Sequence, residues 1–178
     1  MNSQPKIAII GGGAAGFFAA ISAKQYWPDA QVSILEKSNK FLAKVKISGG
    51  GRCNVTHDCP DINALCKAYP RGTTQLRKAF YQFATTDTFE WFESKGVALK
   101  TYPDGCVFPV ANDSQVIIDC LMNSCKQLGI ILKTQQYISK IEVSSLEVVL
   151  QNNEEQQTYD QVIICAGGHP KRSGLDWL

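Results

Sequence analysis

Three glycines in the pattern Gly11-x-Gly13-x-x-Gly16 follow directly on the apolar run Lys6-Ile7-Ala8-Ile9-Ile10 and lead into a stretch with helical periodicity. An unbroken apolar run of this kind suits a strand buried on both faces of a parallel sheet, which predicts a central strand. From Ala14 to Trp27, the small and apolar residues Ala15, Phe18, Ala19, Ser22 and Ala23 recur at helical spacing, and Pro28 supplies the stop. Gln31 to Leu35 returns as a second strand, so the segment forms a βαβ unit of about 30 residues. Within it, Gly11 permits the tight turn and Gly13 lets the backbone approach a pyrophosphate. Gly16 allows helix and strand to pack closely. The helix N-terminus then presents unpaired N–H groups and a positive dipole end to an anion, worth about 0.3–2 kcal/mol by itself. Glu36 ends the second strand 20 residues beyond Gly16, where a carboxylate accepts hydrogen bonds from ribose hydroxyls and repels a 2′-phosphate. That argues against NADP at this position.

The chain's 178 residues are 44% apolar and 19% charged, which is consistent with one folded domain rather than disorder. Eighteen basic against 16 acidic side chains leave a formal charge of +2, so composition gives no reason to expect nucleic acid as a partner. Seven cysteines without a Cys-x-x-Cys spacing fit a reducing cytoplasm better than a disulfide framework. Cys53, His57, Cys59 and Cys66 match no common zinc spacing, so no metal is expected. No stretch reads as a signal peptide or a membrane span.

Beyond the βαβ unit, residues 37–71 read mostly as loop with a short helix over Ile62 to Ala68. Thr74 to Lys95 reads as two helices broken near Thr85-Thr86-Asp87, where a threonine or aspartate can cap the second, and Gly96 closes it. Val97 to Tyr102 and Cys106 to Val110 flank the turn Pro103-Asp104-Gly105 as a hairpin. Asn112 or Asp113 caps a further helix, whose stripe is Val116, Ile117, Cys120, Leu121 and Leu128 and whose stop is Gly129. Ile130 to Lys133 reads as a third parallel strand. Tyr137 to Val143, Leu146 to Gln151 and Gln156 to Tyr159 read as a meander, and Gln161 to Ala166 as a return to the sheet. The fold class is therefore α/β: a Rossmann-like parallel sheet with a three-stranded meander and flanking helices.

A second glycine cluster lies at Lys46-Ile47-Ser48-Gly49-Gly50-Gly51-Arg52-Cys53-Asn54-Val55-Thr56. It lacks the Gly-Lys-Ser/Thr of a Walker A loop. Three consecutive glycines permit close backbone approach to a flat ligand, and Lys46 and Arg52 suit phosphate or carbonyl oxygens. On the residues alone, a ligand-facing loop and a tight structural turn remain equal alternatives. Cys53 reads more readily as a structural thiol than as a redox one.

Taken with the N-terminal fingerprint, this stretch resembles the BaiN-like flavoproteins, also called the YhiN or aminoacetone-oxidase-type FAD-binding family. Val107-Phe108-Pro109 and Ala166-Gly167-Gly168 are similar to two further segments of that family, and all occur in its order. The resemblance implies FAD in an extended form. Its pyrophosphate would lie at Gly11, Gly13, Ala14, Ala15 and Gly16, and its ribose at Glu36 with Lys37 alongside. The isoalloxazine would lie near Lys46, Ser48, Gly49, Gly50, Gly51, Arg52, Cys53 and Asn54. A backbone contact to adenine falls at Ile138, and a second close passage of the chain at Ala166, Gly167 and Gly168. Cys106 stands where relatives commonly carry arginine, so that arginine's role does not transfer. Family members are longer, with an inserted substrate-side domain after the double glycine and a later glycine-aspartate motif. On this resemblance the chain is expected to be the N-terminal part of an FAD-binding domain.

These readings lead to an FAD-dependent oxidoreductase acting on a small carbonyl or enone-type substrate, with NAD(P)H as a plausible electron donor. No catalytic acid or base is assigned. The rival expectations are a nucleotide-binding module for NAD or ADP without redox activity, and a chain too short to bind its cofactor.

Overall fold

The computed structural model describes residues 4–144, 148–152 and 155–168. The chain divides into two compact units, one built from Met1–Lys44 with Leu121–Leu178 and the other from Val45–Cys120.

The first unit opens with strand β1 (Lys6–Ile10), helix α1 (Ala14–Tyr26) and strand β2 (Gln31–Leu35). Later come β6 (Ile131–Lys133), β7 (Ile138–Val143), β8 (Val148–Asn152), β9 (Glu155–Tyr159) and β10 (Gln161–Ile164). The main sheet runs β10-β1-β2-β6, with every neighbouring pair parallel. β7, β8 and β9 form the antiparallel meander.

The apolar run of β1 is explained by what covers it. Ala8 and Ile10 join Leu35, Ile138, Leu150 and Tyr159 in one buried cluster, so the meander lies on that face. Alternate residues turn the other way, where Ile7 lines a cleft together with Ala23 of α1. A strand covered on both sides has no position at which a polar residue is cheap. Phe17, Ile9, Ile21 and Ile34 are wholly buried, each worth about 1.5–3 kcal/mol. The ion pairs among the described residues, Lys46–Asp113 and Lys140–Glu142, have side chains more than half exposed and contribute little beside that. Lys24 closes the end of α1 by donating to the carbonyls of Pro28 and Ala30.

The second unit holds a small sheet ordered β3-β5-β4, made of β3 (Thr56–His57), β5 (Cys106–Pro109) and β4 (Leu99–Thr101). Its helices include α3 (Ile62–Lys67), α4 (Thr73–Phe80) and α5 (Thr85–Glu93). Leu65, Cys66, Phe92, Val97, Val107 and Phe108 are among its buried side chains. Two shorter elements interrupt the expected loop: α2 (Ala43–Ile47) and β3. Both are below the length at which periodicity is visible in a sequence. The break between α4 and α5 falls as expected, but its cap is different. Ala84 occupies the N-cap position, and Asp87 reaches back to accept its N–H at 2.7 Å. Helix α6 (Gln115–Gln127) starts where Asp113 accepts the Gln115 N–H and is followed by Gly129 at φ 66°. The expected meander residues Leu146 and Glu147 lie outside the described residues, as does His169.

Candidate functional site

The turn between β1 and α1 is tied down by three hydrogen bonds. The Gly11 N–H donates to the Leu35 carbonyl at 2.8 Å, the Gly12 N–H donates to Glu36 Oε2 at 2.7 Å, and the Gly12 carbonyl accepts from Leu42 N–H at 2.8 Å. The glycines then separate by function. Gly11 has φ +113°, and a Cβ there would sit 2.3 Å from the Cys165 carbonyl oxygen. At Gly16 a Cβ would lie 1.9 Å from the Gly11 carbonyl oxygen, which is the close helix approach the spacing implies. Gly12 is equally constrained, because its Cβ would strike Phe41 at 2.5 Å and Glu36 at 2.9 Å. The sequence pattern leaves Gly12 as an arbitrary residue and gives no sign of this requirement.

Gly13 behaves differently. Its backbone is ordinary for any residue (φ −90°, ψ −174°), and nothing lies within 4 Å of where a Cβ would be. Among the described residues no neighbour therefore accounts for the missing side chain. What lies before it is open space at the mouth of α1, whose first turn has no side-chain cap and no acidic residue. Ala14 and Ala15 border that space, and Ala15 is exposed. Uncapped N–H groups facing open space are a ready site for an anion. The residues present thus fit a diphosphate of the kind FAD carries.

Glu36 borders the same turn. Its second oxygen accepts the Ser38 N–H at 2.8 Å, so both carboxylate oxygens are anchored to backbone. Burial pushes its pKa up, but the hydrogen bonds from Ser38 and Gly12, with Lys37 nearby, outweigh this and hold it below the ordinary carboxylate value. The group is an anion with lone pairs remaining for a sugar hydroxyl. Cys165 joins the assembly through its N–H to the Ile10 carbonyl, so the chain entering Ala166-Gly167-Gly168 passes directly beside Gly11. Gly167 has φ +70°, and a Cβ there would lie 4.0 Å from Lys44 Nζ. Lys44 was not among the expected site residues, since an isolated lysine has no motif to mark it. Ile138 is buried in the core cluster next to a register shift between Ile138 and Lys140.

The second glycine cluster belongs to the second unit. Ser48–Gly51 form a 3-10 turn in which Gly49, Gly50 and Gly51 all have positive φ, followed by Cys53 at φ 62°. Gly49 is packed against Phe108 and the Asn54 amide, whereas Gly50 and Gly51 have no described residue within 4 Å of a Cβ. Arg52 donates to the Gly49 carbonyl and stacks its guanidinium 4.2 Å from the centroid of Phe108. Lys46 is engaged by Asp113 at 3.4 Å and Gln115 at 3.1 Å. Burial raises the Cys53 thiol despite a hydrogen bond with Ser48. Cys106 is raised by desolvation and by Asp104, against the influence of Asn54 and Arg52. Both thiols are kept in the protonated, less nucleophilic form. Among the described residues, no group of His, Cys, Asp and Glu side chains is arranged to hold a metal ion, and no helix is long and apolar enough to cross a membrane.

Comparison with known proteins gives three kinds of likeness. The family model described as the HI0933-like protein Rossmann domain matches residues 5–173. Among curated relatives, a 3-dehydro-bile acid delta(4,6)-reductase of Clostridium scindens is 29% identical over 94% of this chain and 40% of its own length. A ribosomal RNA dihydrouridine synthase of Escherichia coli is 25% identical over 90% of this chain and 38% of its own. The chain thus spans about two-fifths of the length of the curated relatives it matches. Among solved structures, a flavocytochrome c3 fumarate reductase shares the fold at TM-score 0.65 and 21% identity, covering 92% of this chain and 33% of that one. CtdE in complex with FAD does so at TM-score 0.52 and 15% identity, covering 93% and 39%.

Proposed function

The chain belongs to the HI0933-like Rossmann-domain family, and from that premise we propose that it is the nucleotide-binding portion of an FAD-dependent oxidoreductase of the BaiN-like type. The observation that carries the reading is Gly13, a glycine that no described residue requires to be one, set at an uncapped helix N-terminus beside an anchored carboxylate. When bound, FAD supplies the two-electron redox chemistry. The residues of this chain hold and orient it. N–H groups of Gly13, Ala14 and Ala15 bind the pyrophosphate, Glu36 accepts from the ribose, and Lys44 adds positive charge near Gly167. Within the second unit, Gly50 and Gly51 offer bare backbone to a flat ring.

The substrate class we propose is a carbon–carbon double bond conjugated to a carbonyl. The names of the two relatives share that chemistry. A 3-dehydro bile acid with a 4-ene is an enone, and dihydrouridine is uridine saturated at the bond conjugated to its ring carbonyl. A reduced nicotinamide is the proposed electron donor. Titration of the chain with FAD and with ADP, followed by calorimetry and thermal melting, tests the binding half. Saturable binding with a raised melting temperature is expected for both ligands. Undiminished binding of both ligands by the Gly13→Ala variant would sink the assignment of that turn. For the longer protein, bleaching of a flavin spectrum by NAD(P)H and its recovery with a 3-oxo-4-ene acceptor tests the redox half.

A further inference from the structure

The meander covers the face of the main sheet that carries Ala8, Ile10 and Leu35, but apolar packing does not continue to the starts of β1 and β2. There it gives way to a polar cleft of about 260 Å³. Lys6 of β1, Gln31 and Ser33 of β2 and Lys133 of β6 line it from the sheet, and Gln157 and Tyr159 line it from β9. Strand alternation explains this set, because Lys6 shares a face with Ala8, and Gln31 and Ser33 share one with Leu35. Strand β2 lies between β1 and β6, so the two lysines come from either side of the strand that carries Ser33. All six residues belong to the first unit.

The lining is one-sided in charge. It holds two ammonium groups and no carboxylate, and among the described residues neither lysine takes part in an ion pair. The Asp160 carboxylate accepts the backbone N–H of Lys6 at 2.6 Å but does not line the cleft. Gln157 Oε1 accepts from the Tyr159 hydroxyl at 2.9 Å and from Lys133 Nζ at 3.5 Å, and its Nε2 donors have no partner among the described residues. Ser33 is only 4% exposed, yet its hydroxyl also lacks a hydrogen-bond partner among the described residues. Buried polar groups are satisfied by protein, water or a bound ligand, and leaving one unsatisfied is costly. A single structural water needs a cavity of only about 10–15 Å³, and the space in front of Ser33 is far larger.

We propose that this cleft binds a phosphate dianion, free or as the end group of a small monoester. Two ammonium groups match its double charge, and the Ser33 hydroxyl and Gln157 amide supply directed donors to its oxygens. Lysines act as point charges toward a tetrahedral anion, whereas a planar carboxylate is matched by the guanidinium fork, and no arginine lines the cleft. The site is separate from the glycine turn. That turn and Glu36 follow the ends of β1 and β2, whereas Lys6 and Gln31 begin them. Occupancy requires neither flavin nor substrate.

The test is titration of the chain with inorganic phosphate, glycerol 3-phosphate and succinate at constant ionic strength, followed by proton–nitrogen correlation spectra. It is run at pH 8, above the second phosphate pKa of about 6. The amides of Ser33 and Tyr159 and the side-chain amide of Gln157 should shift together, with a dissociation constant of about 1 mM or tighter for phosphate or its monoester. The stronger of those two ligands identifies the source of the group, and succinate should bind at least tenfold more weakly. The amides of Gly12 to Ala15 report the glycine turn separately in the same spectra. Lys133→Gln should weaken phosphate binding at least tenfold, and Lys126→Gln, an exposed cation on α6, less than twofold. Ser33→Ala should weaken it about fivefold, while melting no lower than the unmodified chain in phosphate-free buffer, because the hydroxyl it removes has no partner in the protein. The rise in melting temperature that phosphate gives the unmodified chain should shrink in both site variants. The proposal is overturned by the absence of saturable shifts at these amides, by shifts confined to Gly12 to Ala15, by equal weakening in Lys126→Gln, or by succinate binding as tightly as phosphate.

Discussion

Gly13 and Gly16 occupy the same motif, but their environments predict opposite outcomes for the same substitution. Gly16→Ala places a methyl group 1.9 Å from the Gly11 carbonyl oxygen and should cost about 1–3 kcal/mol, read as a fall of several degrees in melting temperature. Gly13→Ala meets nothing among the described residues and should lower the melting temperature far less than Gly16→Ala, by no more than the modest loss of an N-cap glycine, while lowering ADP affinity at least tenfold by calorimetry. Glu36 makes a prediction in pH. Its folded pKa is depressed below the ordinary value of 4.5, so the stability it contributes is present above that value and is lost as pH falls through the folded pKa. The gap in melting temperature between the unmodified chain and Glu36→Gln should therefore shrink between pH 6 and pH 3. Much of this site was legible beforehand, because glycine spacing and a carboxylate at the end of the second strand are local signals. Gly12 and Lys44 were not, since their roles depend on Phe41, Leu42 and Gly167, residues with no sequence relationship to them.

At the scale of elements, capping residues carry the clearest expectations. Asp61 accepts the Asn63 N–H at 2.8 Å at the start of α3, and Asp87 accepts the Ala84 N–H at the start of α5. Replacing either by alanine should destabilise the chain by about 0.5–2 kcal/mol in urea unfolding, with no change in FAD affinity. The long elements were readable because their patterns repeat. The stripe of α6, closed by Gly129, and the turn Pro103-Asp104-Gly105 are examples in which each residue type has a mechanical reason. The short ones were not. Helix α2 and strand β3 span five and two residues and are held by their surroundings rather than by propensity. The cap of α5 shows the same limit. A threonine or aspartate was expected at the N-cap position, and the backbone instead placed alanine there, with the aspartate acting from three residues further on.

For the molecule as a whole, the parallel sheet ends in an unusual edge. Among the described residues strand β10 pairs with β1 on one side only, and Ile163 and Ile164 remain 39% and 46% exposed. Ile163 shares a cleft of about 500 Å³ with Ile7, Ala23, Tyr26 and Trp27. Parallel edges are ordinarily covered, and an open apolar one invites association. Light scattering should show concentration-dependent self-association of the chain, reduced by Ile163→Lys, and a monodisperse species at all concentrations would contradict this. The amino-acid order alone determined the βαβ unit, the glycine turn and the position of its carboxylate, because strand burial, helix start and glycine spacing are all properties of neighbours along the chain. Only the tertiary structure decided which glycines answer to the protein's own packing and which face open space. It also decided that Lys46 is engaged by Asp113 and Gln115. Those outcomes depend on distances between residues far apart in sequence, which no local pattern encodes.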